Sequence, residues 1–351
     1  MKKIQNTKYF SKKIGEISKG CKQCVKGEKL VLFVTGLCPR KCWYCPLSDK
    51  KMFKDVTYAN EWPTNSTNEV IKEAELTEAK GAGITGGDPL ITPERSIRYI
   101  RELKKRFGKE FHIHLYTSFE LATHENLEKL YDSGLDEIRF HPNIEDKKMW
   151  NNIENSRKFG WDIGAEIPAI PGKEKETRGL INFLDGKIKF LNINELEITE
   201  TNNISFRKRG LKTKSELSQG IEGSNKMANE LLEYCVEKSF NVHFCTAKLK
   251  DKVQLRNRIT RRARNILTEY DELTPEGLLV RPVVYGNIKQ LKNFAINNNF
   301  PHFLDSINER IIIEPRCLKK NLQLIKKEGF KPAIVEEYPT WDATKITVDY
   351  L

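Results

Sequence analysis

Apolar and polar positions along this chain fall into short strand-like runs separated by longer stretches of helical spacing. Residues 30–34 (Leu-Val-Leu-Phe-Val) form a continuous apolar and β-branched run, as a strand buried on both faces would. After a polar loop, the spacing predicts a helix over 69–80, a strand over 82–85 and a helix over 93–107 with Pro93 in its first turn. A strand over 111–116, a helix over 121–131 and a strand over 137–140 follow, then a helix over 145–159 and a strand over 163–167. A helix over 175–184, a strand over 191–198, a helix over 226–238 and a strand over 242–244 complete the series. Strands alternating with helices imply parallel pairing, and six or seven units fit a complete or partial β/α barrel. The pattern alone fits a doubly wound sheet equally well.

Beyond this region, residues 248–267 read as a strongly basic helix and 269–277 as a linker. The remainder repeats strand, helix, strand, helix, strand over 278–285, 288–296, 311–314, 318–327 and 333–336, which predicts a small α+β domain. Pro282 makes the first of these strands an edge or an interrupted strand. Four segments are expected: an N-terminal segment (1–28), the alternating region (29–247), the basic helix and linker (248–276) and the small domain (277–351). There is no internal repeat and no low-complexity tract.

A chain of 351 residues accommodates one large barrel, or a barrel with a small appended domain. Residues 1–13 are polar and basic and no apolar run reaches the length of a membrane span, so a cytoplasmic protein is expected. In a reducing compartment, eight cysteines argue for metal binding rather than a disulfide framework. A net charge of +12 points to an anionic partner, or to solvent, without saying which.

Chemistry enters with Cys38-Pro39-Arg40-Lys41-Cys42-Trp43-Tyr44-Cys45, a CxxxCxxC array with an aromatic residue before its last cysteine. Cysteine thiolates are the usual ligands of iron-sulfur clusters, and three from one loop hold three irons of a 4Fe-4S cube and leave the fourth open to react. The alternative is a zinc knuckle, but tetrahedral zinc wants four ligands, commonly as two separated pairs, and here three are unequally spaced. A second motif, Gly86-Gly87-Asp88-Pro89, follows the short apolar stretch Gly83-Ile84-Thr85. The same glycines match the dinucleotide fingerprint G-x-G-x-x-G over 81–86. That reading fails, because the fingerprint needs a strand before it and a helix opening on its last glycine.

The cysteine array with Tyr44, together with Gly86-Gly87-Asp88-Pro89, resembles the radical SAM superfamily, of an archaeal or bacterial type distantly similar to pyruvate formate-lyase activating enzymes. The second motif is similar to the family's GGE(P), with Asp88 in place of the commoner Glu. The resemblance implies a partial (β/α)6 barrel over 29–247, a 4Fe-4S cluster on Cys38, Cys42 and Cys45, and S-adenosylmethionine (SAM) on the open iron, its methionine amino group held by the Gly86–Pro89 segment. Cys38, Gly86, Thr117, His141, Glu166 and Cys245 then lie at the C-terminal ends of strands, where such barrels gather catalytic groups. Ser118, with Tyr116 and Thr117, and Arg139 with His141 become candidates for the ribose and carboxylate of SAM. Residues 167–172, including Ile170, resemble the family segment that packs on adenine. Glycyl-radical activases carry a basic residue where this chain has Glu166, and an Asp-x-Lys pattern where it has Arg139 and His141. The activity implied is reductive cleavage of SAM to a 5'-deoxyadenosyl radical that abstracts hydrogen from a substrate, with a one-electron donor such as ferredoxin or flavodoxin.

The other cysteines leave alternatives open. Cys21 and Cys24, with Cys245, are candidates for a second iron-sulfur cluster, for zinc, or for ordinary free thiols. Cys235 sits among Leu231, Leu232 and Val236 as a small hydrophobe, and Cys317 could add a ligand only if the tail domain folds back. Two basic stretches stand out: Arg207-Lys208-Arg209 with Lys212 and Lys214, and the helix bearing Arg256, Arg258, Arg261, Arg262 and Arg264. That helix carries an apolar stripe, Leu255, Ile259, Ala263 and Ile266, and is expected to present its arginines outward. RNA or another anionic molecule is the leading expectation for the substrate. The alternatives are protein modification, including glycyl-radical activation, and a non-catalytic iron-sulfur protein that binds RNA.

Overall fold

The computed structural model describes residues 2–215 and 218–351. Seven parallel strands form the frame: β1 (Lys29–Phe33), β2 (Gly81–Thr85), β3 (His112–Thr117), β4 (Glu137–Phe140), β5 (Asp162–Ala169), β6 (Phe190–Glu195) and β7 (Asn241–Cys245). They pair in sequence order from β1 to β7. The first six are each followed by a helix before the next strand, which makes six β/α units and one further strand. β1 and β7 do not pair with one another. A short antiparallel hairpin (Tyr58–Ala59, Trp62–Pro63) covers the free side of β1, and strands Lys12–Ile14 and Ile4–Asn6 cover that of β7, so the barrel stays open and partial.

The two faces of these strands differ in chemistry. Leu30, Leu32, Ile84, Ile113, Leu115, Ile138, Phe140, Ile167, Leu191, Ile193, Val242 and Phe244 are buried in the apolar core. The alternate residues face the barrel interior. They are largely polar: Lys29, His112, His114, Tyr116, Glu137, Arg139, Glu166, Asn192, Asn194 and His243. A helix over Lys19–Val25 closes on this polar interior. It is capped by Ser18, whose hydroxyl accepts from Cys21 N (3.3 Å) and also from Arg139 Nη2 (3.1 Å). A Cβ on Gly20 would sit 2.4 Å from Arg139 Nη2, so only glycine lets this helix approach.

The chain divides into two compact units, one of residues up to Glu75 with Ala79–Leu255, the other of Leu76–Glu78 with Arg256–Leu351. The division falls inside the region expected as a separate basic helix and linker. That expected helix over 248–267 is three pieces, a turn at Ala247–Leu249, a π-helical stretch at Lys250–Leu255 and an α-helix at Arg256–Ile266. Within the second unit, Ile259 and Ala263 are buried as the stripe required, but the outward arginines need correction. Arg262 is buried and donates to the carbonyl of Pro339, and Arg261 Nη1 lies 2.9 Å from Glu78 Oε2.

The second unit is built on a six-stranded antiparallel sheet. Its Leu279–Tyr285 strand is central, not at an edge. On one side it pairs throughout with Lys331–Glu337. On the other, Glu272–Leu273 pairs with residues 279–280 and Arg310–Ile313 with residues 283–285, leaving a gap at Pro282, the interruption its missing N–H requires. Strands His302–Asp305 and Lys345–Tyr350 were not anticipated. The expected helix over 145–159 is reduced to a 3-10 turn at Trp150–Asn152 and one α-turn at Ile153–Ser156. Asn143 Oδ1 accepts from Glu145 N and Asp146 Oδ1 from Lys148 N, local bonds that compete with helix formation. Among the described residues no helix is long and apolar enough to cross a membrane.

Candidate active site

The cysteine loop leaves the end of β1, and the backbone holds its base. The parallel ladder continues past the strands through Val34 N to Thr85 O (2.9 Å), Gly87 N to Thr35 O (2.8 Å) and Asp88 N to Leu37 O (2.8 Å). A Cβ on Gly86 would meet Thr35 O at 2.3 Å, and one on Gly87 would meet Leu37 O at 2.3 Å. The two glycines are therefore the condition for this crossing. The far end of the loop returns to the same place, with Gly36 N donating to Lys54 O (2.8 Å) and Phe53 N to Gly36 O (2.9 Å).

Asp88 acts as a strut between β2 and β3. It is 2 % exposed. Its Oδ1 accepts from Leu90 N (3.1 Å) and Thr117 Oγ1 (2.8 Å), and its Oδ2 accepts from Ser118 N (2.9 Å). Burial pushes the Asp88 carboxyl up, and the donors from Ser118, Thr117 and Leu90 work against that. Pro89 opens the 3-10 turn that Asp88 caps.

Within the loop, Cys38, Cys42 and Cys45 are half-buried free thiols. Cys45 N donates to Cys42 O (3.1 Å) and Arg40 N points at Cys38 Sγ (3.4 Å). Burial pushes the Cys38 thiol up to about 11, opposed by that Arg40 N–H. Tyr44 Oη lies 3.0 Å from His141 Nε2, and His141 Nδ1 lies 2.8 Å from Glu166 O. This assigns the ring proton to Nδ1 and leaves Nε2 to accept from the tyrosine. Arg40 Nη1 donates to His141 O (2.6 Å), a tie between loop and β4 that the sequence did not single out although Arg40 lies inside the motif. Burial, aided by the Arg40 charge, lowers the His141 pKa to about 4.

A cavity of about 230 Å³ opens beside this loop. Arg40, Lys41, Cys42, Trp43 and Tyr44 form one wall, and Asn143, Ile144, Glu145, Ile170 and Lys173 the other. The structure thus brings Tyr44 and Ile170 to one cavity. His141 stands behind Tyr44, and Gly86, Gly87, Asp88 and Pro89 support the loop at its base. Ser118 contributes its backbone to Asp88. Arg139 and Glu166, expected toward SAM, are not among the cavity walls. Lys173 and Asn143 went unnoticed in the sequence; Lys173 follows Pro171-Gly172, and nothing local distinguishes Asn143.

Arg139 and Glu166 belong instead to the polar interior. Arg139 is 1 % exposed, and its guanidinium reaches Glu137, Tyr116 Oη (2.8 Å), Glu166 Oε2 (3.2 Å) and Ser18 Oγ (3.1 Å). Glu166 also accepts from Asn192 Nδ2 and Asn194 Nδ2, each at 2.9 Å. Burial alone would raise the Glu166 pKa, but the Arg139 charge and the two amides hold it below the usual carboxylate range. Lys29 Nζ donates to Ala82 O (3.1 Å) and His112 O and lies 3.0 Å from His112 Nδ1; burial lowers its pKa to about 7.

Cys21 and Cys245 are buried, and Cys24 is partly so. Cys21 Sγ accepts from Asn192 Nδ2 (3.3 Å), and Cys245 packs with Val25, Leu249 and Val253. Burial, with the neighbouring Cys21 adding to it, pushes the Cys24 thiol up to about 12.

Comparison with known proteins gives this geometry a family. Residues 32–184 match the model of the radical SAM superfamily. A protein of Methanocaldococcus jannaschii, provisionally named as a glycyl-radical enzyme activating enzyme, is 40 % identical over 355 aligned positions, 97 % of this chain and 94 % of that protein. Two solved structures are more distant. Streptococcus suis SuiB shows 14 % identity and a TM-score of 0.45, the match covering 62 % of this chain and about half (49 %) of SuiB. Methylornithine synthase shows 12 % identity and a TM-score of 0.40, over 58 % of this chain and 66 % of that one. Extending over nearly the whole of both proteins, the archaeal match joins the cysteine loop and its glycine support to one conclusion: this chain belongs to the radical SAM superfamily.

Proposed function

We propose that Cys38, Cys42 and Cys45 hold a 4Fe-4S cluster and that this enzyme modifies a partner protein as a glycyl-radical activating enzyme does. The donor set fits the cluster: three free thiols half-buried on one loop, a backbone N–H aimed at one sulfur, and a cavity opening on Cys42. Held by these three cysteines, the cluster would supply the electron for reductive cleavage of SAM to a radical that abstracts hydrogen. The chain's own residues supply the setting. Tyr44, locked by His141, and Arg40 fix the loop's orientation. Ile170 offers an apolar wall suited to adenine, and Asp88 holds the ends of β2 and β3 in register.

The observation that carries the protein-modifying reading is the name and full-length match of the archaeal relative. The RNA reading loses part of its support, because Arg262 is buried and Arg261 is paired, while Arg256 and Arg264 stay exposed. Glu166, Arg139 and His141 still depart from the activase pattern. For the first two, their contacts offer a reason: Arg139 binds both Glu166 and the Ser18 cap of the Lys19–Val25 helix, a local solution to closing this barrel's interior. For Cys21 and Cys245, the hydrogen bond from Asn192 and the packing against Val25, Leu249 and Val253 support the reading as ordinary free thiols.

The test compares cells with and without the gene, frozen anaerobically and examined by electron paramagnetic resonance. A glycyl-radical signal that disappears on deletion and returns with the wild-type gene, but not with a Cys42→Ala copy, is expected. A deletion that leaves every glycyl radical intact while removing an RNA modification overturns the reading.

A further inference from the structure

We propose that the basic segment 207–212, which abuts the cysteine loop, is the docking surface for a small acidic one-electron donor protein. The inference rests on radical SAM chemistry, not on the identity of the substrate. The segment is anchored to the loop itself at three points. Phe206, fully buried at the end of the Asn203–Lys208 helix, meets the Trp43 ring edge-on at 5.4 Å between centroids. The Arg209 guanidinium lies over the same indole at 4.4 Å. Asn202 Nδ2 donates to Tyr44 O (3.3 Å). Trp43 and Tyr44 are the two residues between Cys42 and Cys45, so a partner seated here is one side chain removed from the thiolates.

The surface is cationic and available. Arg207, Lys208, Arg209 and Lys212 are exposed, and Lys41 adds a further exposed charge on the loop. Lys214, by contrast, is paired with Glu195. Among the described residues, Arg207, Lys208 and Lys212 enter no ion pair; the exposed Glu222, whose N–H donates to Lys212 O (2.9 Å), offsets part of the positive charge. Ile204, 67 % exposed on the same short helix, adds an apolar contact among the charges. Small, charge-complementary surfaces of this kind favour fast, transient encounters over tight complexes, which suits a carrier that delivers one electron and leaves. An anionic substrate protein is the competing occupant. The geometry favours the donor, because the segment touches the loop that carries the thiolates, whereas a substrate must reach the cavity wall formed by Ile170 and Lys173. In the step, one electron leaves the reduced donor and enters the cluster; the donor is oxidised by one electron, the cluster reduced by one, and no bond is made or broken.

The test uses the reconstituted full-length protein with an acidic flavodoxin as probe. In the Arg207→Glu, Lys208→Glu, Lys212→Glu variant, flavodoxin binding by calorimetry should weaken at least tenfold. Stopped-flow reduction of the cluster by flavodoxin hydroquinone should slow at least tenfold, while reduction by dithionite and SAM binding stay at wild-type values. Rising salt should weaken wild-type binding and leave the variant's almost flat. The neutral variant with Gln at all three positions covers the case in which charge reversal disturbs folding, and should fall between. Unchanged flavodoxin affinity and reduction rate overturn the proposal. So does an equal loss with dithionite, which would assign the segment to the SAM site, or an intact flavodoxin reaction with lost binding of a substrate protein.

Discussion

Tyr44 Oη and His141 Nε2 stand 3.0 Å apart, and through this bond the aromatic residue of the cysteine motif is fastened to the end of β4. His141 in turn is oriented by Glu166 O through Nδ1 and by its own N–H to Thr117 O (2.8 Å). Removing the hydroxyl leaves a buried Nε2 without a donor, at a cost of about 1–3 kcal/mol. The Tyr44→Phe variant is therefore expected to bind SAM more weakly while keeping its overall secondary structure. Calorimetric titration with SAM and circular dichroism together check this. Undiminished SAM affinity would mean that the bond does not order the loop.

Replacing Cys38, Cys42 or Cys45 by Ala is expected to abolish formation of 5'-deoxyadenosine after anaerobic reconstitution, because each thiolate holds one iron of the proposed cube. Cys235→Ala, on a helix packed in the apolar core, should leave reductive cleavage intact. Iron and sulfide content per chain, read beside product formation, separates loss of the cluster from loss of turnover. Wild-type turnover in all three motif variants would sink the assignment.

The glycines of the second motif give a steric prediction. An alanine at Gly87 places its Cβ against Leu37 O, and one at Gly86 against Thr35 O, both at 2.3 Å. The segment leading to Cys38 must shift, with a strain of about 1–3 kcal/mol. Gly86→Ala and Gly87→Ala should each lower the unfolding midpoint and weaken SAM binding. Gly186→Ala, where a Cβ has open space but φ is +78°, should affect stability alone.

Lys29 makes the pH dependence testable. Its pKa falls to about 7 on burial, from an ordinary value of 10.5. Between those values the unfolded chain binds the proton that the folded protein has released, so stability rises with pH from about 7 toward 10.5. The urea midpoint of the wild type should climb across this window, and that of Lys29→Met should climb less. Parallel curves for the two proteins would show that Lys29 keeps its proton.

In the second unit, Glu337 is buried between two guanidiniums. It accepts from Arg310 Nη2 (2.6 Å) and Nη1 (2.8 Å) and from Arg281 Nη1 (3.1 Å). Glu337→Ala removes the carboxylate that two buried cations share, leaving Arg310 to Asp305 and Arg281 to Asp271, and should destabilise this unit by about 3 kcal/mol. Denaturant unfolding followed by circular dichroism checks this. Glu337→Gln, which keeps an acceptor, should cost less.

What the sequence by itself determined was whatever rests on local spacing. The helix at Pro93–Phe107 and the strand at Glu137–Phe140 were read to their ends, because proline, glycine and a clean change of period bound them. The cysteine array and Gly86–Pro89 were legible because each is a continuous run whose residues meet within one loop. Tertiary structure alone decided where side chains distant in sequence would go. Arg139 lies two residues before His141 on the same face of β4, yet one step deeper in the interior Glu137, Glu166 and Ser18 claim its charge. Asp88, placed by its motif beside SAM, is taken up by donors from β3. The arginines on the helix over Arg256–Ile266 looked alike in one dimension, but packing buried Arg262 against a carbonyl 77 residues away. Local pattern reports propensity and period, whereas the partner of a buried charge depends on which strands lie side by side, and that is settled only when the chain closes its core.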